Sequence, residues 1–578
     1  MSKNRFIINH VGYLPHAAKR LIYHGNAAEF TVYRFLDCRL TPVFSAPLSS
    51  FGPDQLDEDA KIGDFSKLTE PGIYRLGTSE GKSRCFIVSD NAYDTVARLL
   101  VYYFNWQRCG DPMGWNGICH EDDRIVLKDG TVRSLAGGHH QSSDLRKWTF
   151  GTSLGMIGLL QYALRKKPSW DKQIIEDEIR HSLKYYLALI SDEGYIFDSS
   201  FTYEGDNGEY LNKGYGDYSK AWLPRQYYDR PAPAPSHYQA IQLFSLCSRY
   251  FSNIAPDQHM AECCLSAAQK VYHFMKSTKQ HLYTLPIYPP LGHVGMEYYY
   301  GGFYDSSAMT HAGIAQSAIE LYKIAPSEKL YDDACSALRQ LIHLQIREGA
   351  AKGCFLESRG SKQLANNYCY FFSTGIPQAL INAAELWQAA PDQPLWVEAI
   401  EMLAEQYWTV CRKNSYNRIP ACYYTQNYHT YRNAEFNKGN VFEKQYFAGT
   451  SNIDGEAQGI QYGMESYCYN LDIEAMGVFF KKASKLLNRS EYEEIAYSQL
   501  DWLLGANRFD ASNVNGVGYN VPHRGIYGEF FPPVPQIPGG VYIGYTDECF
   551  DEERSGMRNE YDNPMVGWLL YLISELDE

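Results

Sequence analysis

The sequence predicts a mainly α-helical protein in which a small β-sandwich precedes an (α/α)6 barrel. Two observations predict this fold class: short β-rich segments fill roughly the first 90 residues, and helical periodicity runs through most of the remainder. A chain of 578 residues is also too long for one ordinary core. We therefore expect two domains, at residues 1–90 and 91–578.

The β-sandwich is predicted from short apolar segments that Gly, Pro and Asp turns separate. These segments are 5–8, 20–23, 30–33, 72–76 and 85–88. Branched and aromatic side chains favour strands, and many short strands with frequent turns are typical of a sandwich.

The barrel is predicted from about a dozen segments with a three-to-four-residue apolar period. They lie near 94–108, 150–165, 172–191, 237–251, 259–276, 305–325, 329–346, 375–390, 395–412, 463–487, 490–505 and 563–577. Twelve helices form six antiparallel pairs, and such pairs can close into a double-layered barrel. The long connections, near 109–148, 192–236, 413–460 and 506–562, would then gather at one end and form a cleft.

Composition restricts the partners. The net charge of -14 argues against nucleic acid or an anionic membrane as the main partner, and no apolar run approaches the length of a membrane span. The start of the chain shows no signal peptide, so a cytoplasmic protein with free thiols is expected. Aromatic residues make up 15% of the chain, which suits sugar binding but equally suits core packing.

The first candidate site combines Cys109, Cys119, His120 and His140. Two thiolates and two imidazoles are the ligand set of a closed tetrahedral zinc site, which would have a structural role. The spacing is not that of a zinc finger, so a chance grouping is the alternative.

Two acids are the catalytic candidates. Asp144 ends the turn Gly137-Gly138-His139-His140-Gln141-Ser142-Ser143-Asp144, and Glu560 lies just before the last apolar helix. An inverting glycosidase needs one acid to protonate the leaving oxygen and one carboxylate to activate water. The alternatives are an N-cap role for Asp144 and a favourable helix-dipole position for Glu560.

A fourth segment, at 502–507 and 518–524, ends a helix with Gly and then presents His523 and Arg524 in a loop. These two side chains could bind sugar hydroxyls, although a surface location is the more common outcome for such a pair.

These four segments, in this order, resemble glycoside hydrolase family 9, specifically members with an N-terminal immunoglobulin-like domain. The start Asn9-His10-Val11-Gly12-Tyr13-Leu14-Pro15 resembles that domain, and Gln107-Arg108-Cys109-Gly110 resembles the start of the catalytic barrel. The resemblance implies structural zinc on Cys109, Cys119, His120 and His140, with Asp144 as the base and Glu560 as the general acid. It also implies that Gln141 and the Pro522-His523 element contact substrate; calcium, which no motif here assigns, is a further possible ion.

The chain departs from the family pattern in three places. Gln141 replaces the first Asp of the turn, which makes one carboxylate near the attacking water neutral. Arg524 directly follows His523, one residue earlier than in the family element, and the run after Glu560 is more compact.

A cytoplasmic location and the altered turn resemble the bacterial exo-β-D-glucosaminidase subgroup, which removes glucosamine from the non-reducing end of chitosan oligosaccharides. A cationic sugar also suits an acidic protein. The alternatives are a cytoplasmic β-1,4-glucanase or cellodextrinase, and a non-catalytic sugar-binding protein on the same fold. A lyase or phosphorylase would require a different set of bases or a phosphate pocket. The oligomeric state is not predicted.

Overall fold

A computed structural model describes most of the chain. The described residues are 5–57, 59–115, 117–142, 147, 149–166, 172–198, 227–278, 282, 307–367, 372–426, 443–465, 469–522, 536–550 and 560–577. The prediction of an (α/α)6 barrel preceded by a β-sandwich is confirmed.

The N-terminal sandwich consists of ten strands in two sheets. The strands are β1 (Phe6–Ile7), β2 (Gly12–Tyr13), β3 (Arg20–Tyr23), β4 (Glu29–Leu36), β5 (Arg39–Pro47), β6 (Ser49–Ser50), β7 (Lys61–Asp64), β8 (Gly72–Thr78), β9 (Gly81–Lys82) and β10 (Phe86–Val88). One sheet has the order β1-β3-β7-β6 and the other β2-β10-β8-β4-β5, with β9 paired to β8. Alternate residues of β4 and β8, such as Phe30, Val32, Tyr74 and Leu76, fill the core between the sheets, as the period of two predicts.

Twelve α-helices follow in the described residues. They are α1 (Asp94–Trp106), α2 (Thr149–Lys166), α3 (Lys172–Ala188), α4 (Ala234–Asn253), α5 (Gln258–Ser277), α6 (Ala308–Tyr322), α7 (Glu328–His343), α8 (Phe372–Leu386), α9 (Gln393–Cys411), α10 (Asn470–Leu487), α11 (Ser490–Leu503) and α12 (Asn563–Leu576). None of these described helices is both long enough and apolar enough to cross a membrane.

The even-numbered helices form a closed inner ring. Each one packs on the next, in the order α2-α4-α6-α8-α10-α12, and α12 returns to α2. The inner helices are buried on nearly all sides: in α12, every residue from Asn563 to Leu576 is buried. Because each inner helix starts after a long connection, these connections meet at one end of the ring, where the candidate site lies.

Shorter strands occupy the connections. They are β11 (Arg124–Val126), β12 (Val132–Ser134), β13 (Phe197–Asp198), β14 (Tyr228–Pro231), β15 (Cys422–Thr425), β16 (Glu443–Ile453) and β17 (Glu456–Glu465). The prediction of a helix from residue 463 is wrong at its start, because β17 continues to Glu465 and α10 begins at Asn470. Sheet pairing with β16 and β15 decides this boundary, which local periodicity does not show.

The sandwich contacts the barrel through Asn9 and His10. The Asn9 side-chain amide donates to Asp501 Oδ1 of α11 over 2.8 Å. The His10 ring stacks on Tyr519, with ring centroids 3.5 Å apart and planes 14° apart. Tyr519 precedes the segment of His523 and Arg524, so this contact fixes the start of that segment against the sandwich.

Candidate active site

The structure describes six of the nine predicted site residues. They are Cys109, Cys119, His120, His140, Gln141 and Glu560. Asp144, His523 and Arg524 lie outside the described residues.

The four predicted metal ligands come together in one buried cluster. Their ligand atoms all lie within 4.8 Å of one another. The two sulfur atoms are 3.9 Å apart, Cys109 Sγ is 3.5 Å from His120 Nδ1, and Cys119 Sγ is 3.4 Å from His140 Nε2. A tetrahedral zinc ion would place its sulfur ligands about 3.8 Å apart and sulfur and nitrogen about 3.6 Å apart, as follows from typical Zn–S and Zn–N bond lengths. The donor set and its spacing therefore fit a tetrahedral metal ion.

Backbone pairing brings the ligands together. The segment after α1 pairs with the turn at 137–140: Cys109 N donates to Gly138 O and His140 N donates to Gln107 O, each over 2.8 Å. Gly138 has a φ of +74°, where a side chain would be strained, and a Cβ there would lie 2.8 Å from the Tyr185 ring. Glycine is needed at this position because the turn passes directly over α3.

A hydrogen bond joins the two thiols and separates their pKa values. That bond lowers the pKa of Cys119 well below its usual range, and His120 and His140 lower it further. The same bond, together with burial, raises the pKa of Cys109. A bound cation would supply the positive charge that stabilises both thiolates.

A buried ion-pair network supports the turn from α3. Glu178 Oε2 lies 2.7 Å from His139 Nε2, and the Arg108 guanidinium binds the same carboxylate at 2.9 to 3.1 Å. His139 Nδ1 lies 2.7 Å from Ser182 Oγ. Burial alone would raise the pKa of Glu178, but His139 and Arg108 outweigh it and lower the pKa to about 2. This network fixes the residues that directly neighbour Cys109 and His140.

Lys147 supports the other side of the metal cluster. Its ammonium group donates to Leu135 O and Gly137 O, each at 3.0 Å, and lies 2.6 Å from Asp123 Oδ2. Burial would lower the pKa of Lys147, but its neighbours, among them the Asp123 carboxylate, raise it. Neither Lys147 nor Glu178 belongs to a recognisable motif, and sequence reasoning missed both because their partners are distant in sequence.

The turn that leads to Asp144 lies against the segment that carries Glu560. Ser142 and Asp562 form an antiparallel bridge, and Asn563 N donates to Gln141 O over 2.8 Å. The Asn563 side chain also donates to His140 O over 2.6 Å. Glu560 is half-buried, and its carbonyl accepts from Ile543 N. The structure therefore joins two segments that are more than 400 residues apart in sequence.

Close helix packing holds this junction in place. A Cβ on Gly158 of α2 would lie 2.2 Å from the backbone carbon of Gly567 in α12, and a Cβ on Gly567 would lie 2.0 Å from Gly155 O. Backbones approach this closely only where glycines face each other. The two helices begin directly after the Asp144 and Glu560 segments, so their contact sets how these segments meet.

Gln141 is 6% exposed, and its amide donates to Asp562 Oδ2 over 3.3 Å. A Cβ on Gly151 would lie 2.0 Å from Gln141 Oε1, so glycine at 151 leaves the room that this long side chain occupies. Gln141 therefore connects the two segments.

Three carboxylates lie together at this end of the inner ring. Asp472 and Glu474 lie in the first part of α10, and Asp472 and Asp562 both act electrostatically on Glu474. Burial raises the pKa of Glu474 well above its usual value, and Asp472 and Asp562 raise it further. The Asp472 carboxylate accepts from Ser373 Oγ over 2.5 Å. Sequence reasoning did not identify this buried cluster.

The family model for glycosyl hydrolase family 9 matches residues 93–530. The chain belongs to glycosyl hydrolase family 9. This match confirms the family resemblance seen in the sequence and assigns the chain to the glycoside hydrolases.

Individual relatives are distant. The chain is 28% identical over 170 residues to a cellodextrinase of Butyrivibrio fibrisolvens, which covers 28% of this chain and 30% of that protein. It is 21% identical over 309 residues to endoglucanase D of Acetivibrio thermocellus, which covers 48% of this chain and 47% of that protein. The chain thus spans less than half the length of these curated relatives.

The fold likeness extends over the whole chain. A family 9 protein of Bacteroides ovatus is similar with a TM-score of 0.67 at 16% identity, over 99% of this chain and 98% of that one. At this identity the likeness establishes the fold alone.

Proposed function

We propose that this protein is an inverting exo-β-D-glucosaminidase that removes glucosamine from the non-reducing end of β-1,4-linked chitosan oligosaccharides. Glu560 is the general acid and Asp144 is the base. The observation that carries this proposal is the antiparallel pairing of Ser142 with Asp562.

Chain connectivity supports the carboxylate pair. Asp144 is two residues after Ser142, and Glu560 is two residues before Asp562. The bridge between Ser142 and Asp562 brings the chain just before Asp144 against the chain just after Glu560. This contact supports a shared location for the two acids.

Two such acids carry out single-displacement hydrolysis. Glu560 donates a proton to the glycosidic oxygen, and Asp144 takes a proton from the water that attacks the opposite face of the sugar. A separation of roughly 6.5 to 9.5 Å leaves room for this water. Because the attack occurs once, a β-linked substrate releases an α-configured sugar.

The preference for glucosamine is supported by the negative charge of the chain. Asp472 lies at the start of α10, near the catalytic end of the ring, and the whole chain has a net charge of -14. A carboxylate binds an ammonium group more strongly than a hydroxyl group, so an acidic protein favours glucosamine over glucose.

A cellodextrinase is the second candidate. The cellodextrinase of Butyrivibrio fibrisolvens is 28% identical to the chain over 170 residues, whereas endoglucanase D of Acetivibrio thermocellus is 21% identical over 309 residues. The two candidate functions share the acid and the base and differ only in the group recognised at C2 of the sugar, an ammonium group or a hydroxyl group.

We also propose that Cys109, Cys119, His120 and His140 hold a structural zinc ion. Four protein ligands would leave no open position for a substrate or water, which is typical of a structural site. The ion would fasten the turn that leads to Gln141 and Asp144. It would thus hold the base segment against the acid segment without taking part in proton transfer.

The proposal extends to the domains, the loop residues His523 and Arg524, and the cellular location. The sandwich is an immunoglobulin-like domain of residues 1–90, and the catalytic domain is 91–578. His523 and Arg524 bind substrate, supported by the anchoring of Tyr519 on His10. A cytoplasmic location is supported by the described cysteines, none of which forms a disulfide.

Hydrolysis of glucosamine disaccharide and of cellobiose, with the anomer of the product followed by NMR, tests the function. Release of α-glucosamine from the first substrate supports the proposal, while cleavage of cellobiose alone supports the cellodextrinase. Release of a β-anomer would exclude the inverting mechanism.

Glu560→Gln and Asp144→Asn should each reduce kcat by at least about 100-fold. Glu398→Gln is the matched control, because Glu398 is 55% exposed and pairs with Arg347 on the outer layer. Full activity of Glu560→Gln would remove Glu560 from the mechanism. No activity of the wild-type protein on either sugar would favour a sugar-binding protein.

A further inference from the structure

The segment from Glu560 to Asp562 is extended. Tyr561 forms an antiparallel bridge with Tyr542, and Asp562, with φ of -143° and ψ of +142°, forms one with Ser142. Successive side chains of an extended segment point to opposite sides. Glu560 and Asp562 therefore share one side, roughly 7 Å apart along the chain, and Tyr561 lies on the other.

Asp562 is held in place on that side. It is 3% exposed, and its Oδ2 accepts from the Gln141 amide over 3.3 Å. The Gln141 amide is neutral, so this bond orients the carboxylate without adding a positive charge beside it. The bridge to Ser142 fixes the backbone of the same residue.

We propose that Asp562 is a positioning residue for the general acid: its fixed carboxylate disfavours ionisation of Glu560 and so keeps the proton that Glu560 donates. A like charge held nearby in a partly buried site favours the neutral form of a carboxylic acid. This inference rests on the proposed role of Glu560.

Other titratable groups surround this pair. Tyr103 of α1, Tyr542 and Tyr561 have pKa values raised by burial, so they are neutral at neutral pH. From α10, burial raises the pKa of Glu474 well above its usual value, and Asp472 accepts from Ser373. From the turn, His140 faces the metal cluster. Of the carboxylates named here, Asp562 lies on the same extended segment as Glu560, two residues away.

The test is the pH profile of kcat/KM for Asp562→Asn. Asparagine has the same shape, and Gln141 can reverse its amide to keep a hydrogen bond with it. Two charges about 7 Å apart in a medium of effective dielectric constant near 20 shift a pKa by roughly 1 to 2 units. We therefore expect the alkaline limb, which reports loss of the proton from the acid, to move down by roughly 1 to 2 pH units. The acid limb should stay in place.

Asp562→Glu is the conservative variant. It keeps the carboxylate, so its alkaline limb should lie close to that of the wild-type protein. Asp562→Ser, a smaller neutral residue, provides a second variant if Asp562→Asn does not fold, and the same displacement is expected. Melting curves establish that each variant is folded. An alkaline limb that stays in place in a folded neutral variant would overturn the proposal.

A glycosyl fluoride separates this proposal from a general structural defect. Fluoride leaves with little need for a proton donor, so Asp562→Asn should hydrolyse β-glucosaminyl fluoride at close to the wild-type rate. Equal losses on fluoride and disaccharide would overturn the proposed role. If Glu560→Gln keeps full activity on the disaccharide, the proposed function itself fails; if Glu560→Gln is inactive and Asp562→Asn is unshifted, only this inference fails.

Discussion

The substitution Glu178→Gln should destabilise the protein and leave the exposed surface unchanged. Glu178 is fully buried on α3, and its carboxylate binds both His139 and Arg108. Burial opposes its ionisation, but these two partners lower its pKa from 4.5 to about 2. At 1.36 kcal/mol for each pKa unit, this lowering corresponds to about 3 kcal/mol of stability at pH 7.

The same pKa values determine how this contribution depends on pH. Glu178 has a lower pKa in the folded protein than in the unfolded chain, so its contribution is complete above about pH 5 and is lost as the pH falls toward 2. The difference between wild type and Glu178→Gln should therefore be about 3 kcal/mol at pH 7 and about 2 kcal/mol at pH 3.5.

Urea denaturation at both pH values, followed by circular dichroism, measures this difference. Glu398→Gln is the control, because an exposed ion pair contributes little and its removal should change the free energy of unfolding by less than about 1 kcal/mol. Equal effects of the two substitutions at pH 7 would refute the reasoning. If the difference in the free energy of unfolding between wild type and Glu178→Gln grew as the pH fell, the lowered pKa of Glu178 would be refuted.

Three further results are expected. Dialysed protein should retain about one equivalent of zinc. Cys119→Ser or a strong chelator should remove the ion and lower the melting temperature. Protein that holds no zinc and keeps its melting temperature would contradict the metal site. Gly158→Ala should lower the melting temperature by several degrees, because its Cβ would lie 2.2 Å from the Gly567 backbone. Gly375→Ala is the control and should be neutral or stabilising, because its Cβ would meet Ala312 at 3.8 Å among the described residues. Equal melting temperatures of the two variants would contradict the close helix contact. Burial raises the pKa of Asp501 to about 7, so its ionisation costs stability as the pH rises through that value. Asp501→Asn should therefore melt at a higher temperature than wild type at pH 8 and at a similar temperature at pH 4. The opposite order would contradict the raised pKa of Asp501.

Much of the fold was predictable because its signals are local. The periods of two and 3.6 identified five of the ten sandwich strands and the twelve described helices, since burial of one face repeats along each element. The prediction missed β2, β5, β6, β7 and β9. It also misplaced the start of α10, where strand β17 pairs with β16 and β15, because pairing across sequence distance overrides a local helical pattern.

The site shows the same division. The sequence by itself nominated Cys109, Cys119, His120 and His140 as candidate metal ligands, because thiol and imidazole side chains are chemically distinctive, and it nominated Asp144 and Glu560. Only the tertiary structure decided that Ser142 pairs with Asp562, that Gln141 binds this carboxylate, and that Glu178 supports the turn from α3. These contacts join residues that the closed ring of inner helices brings together, and ring closure depends on how α12 packs on α2 rather than on any local pattern.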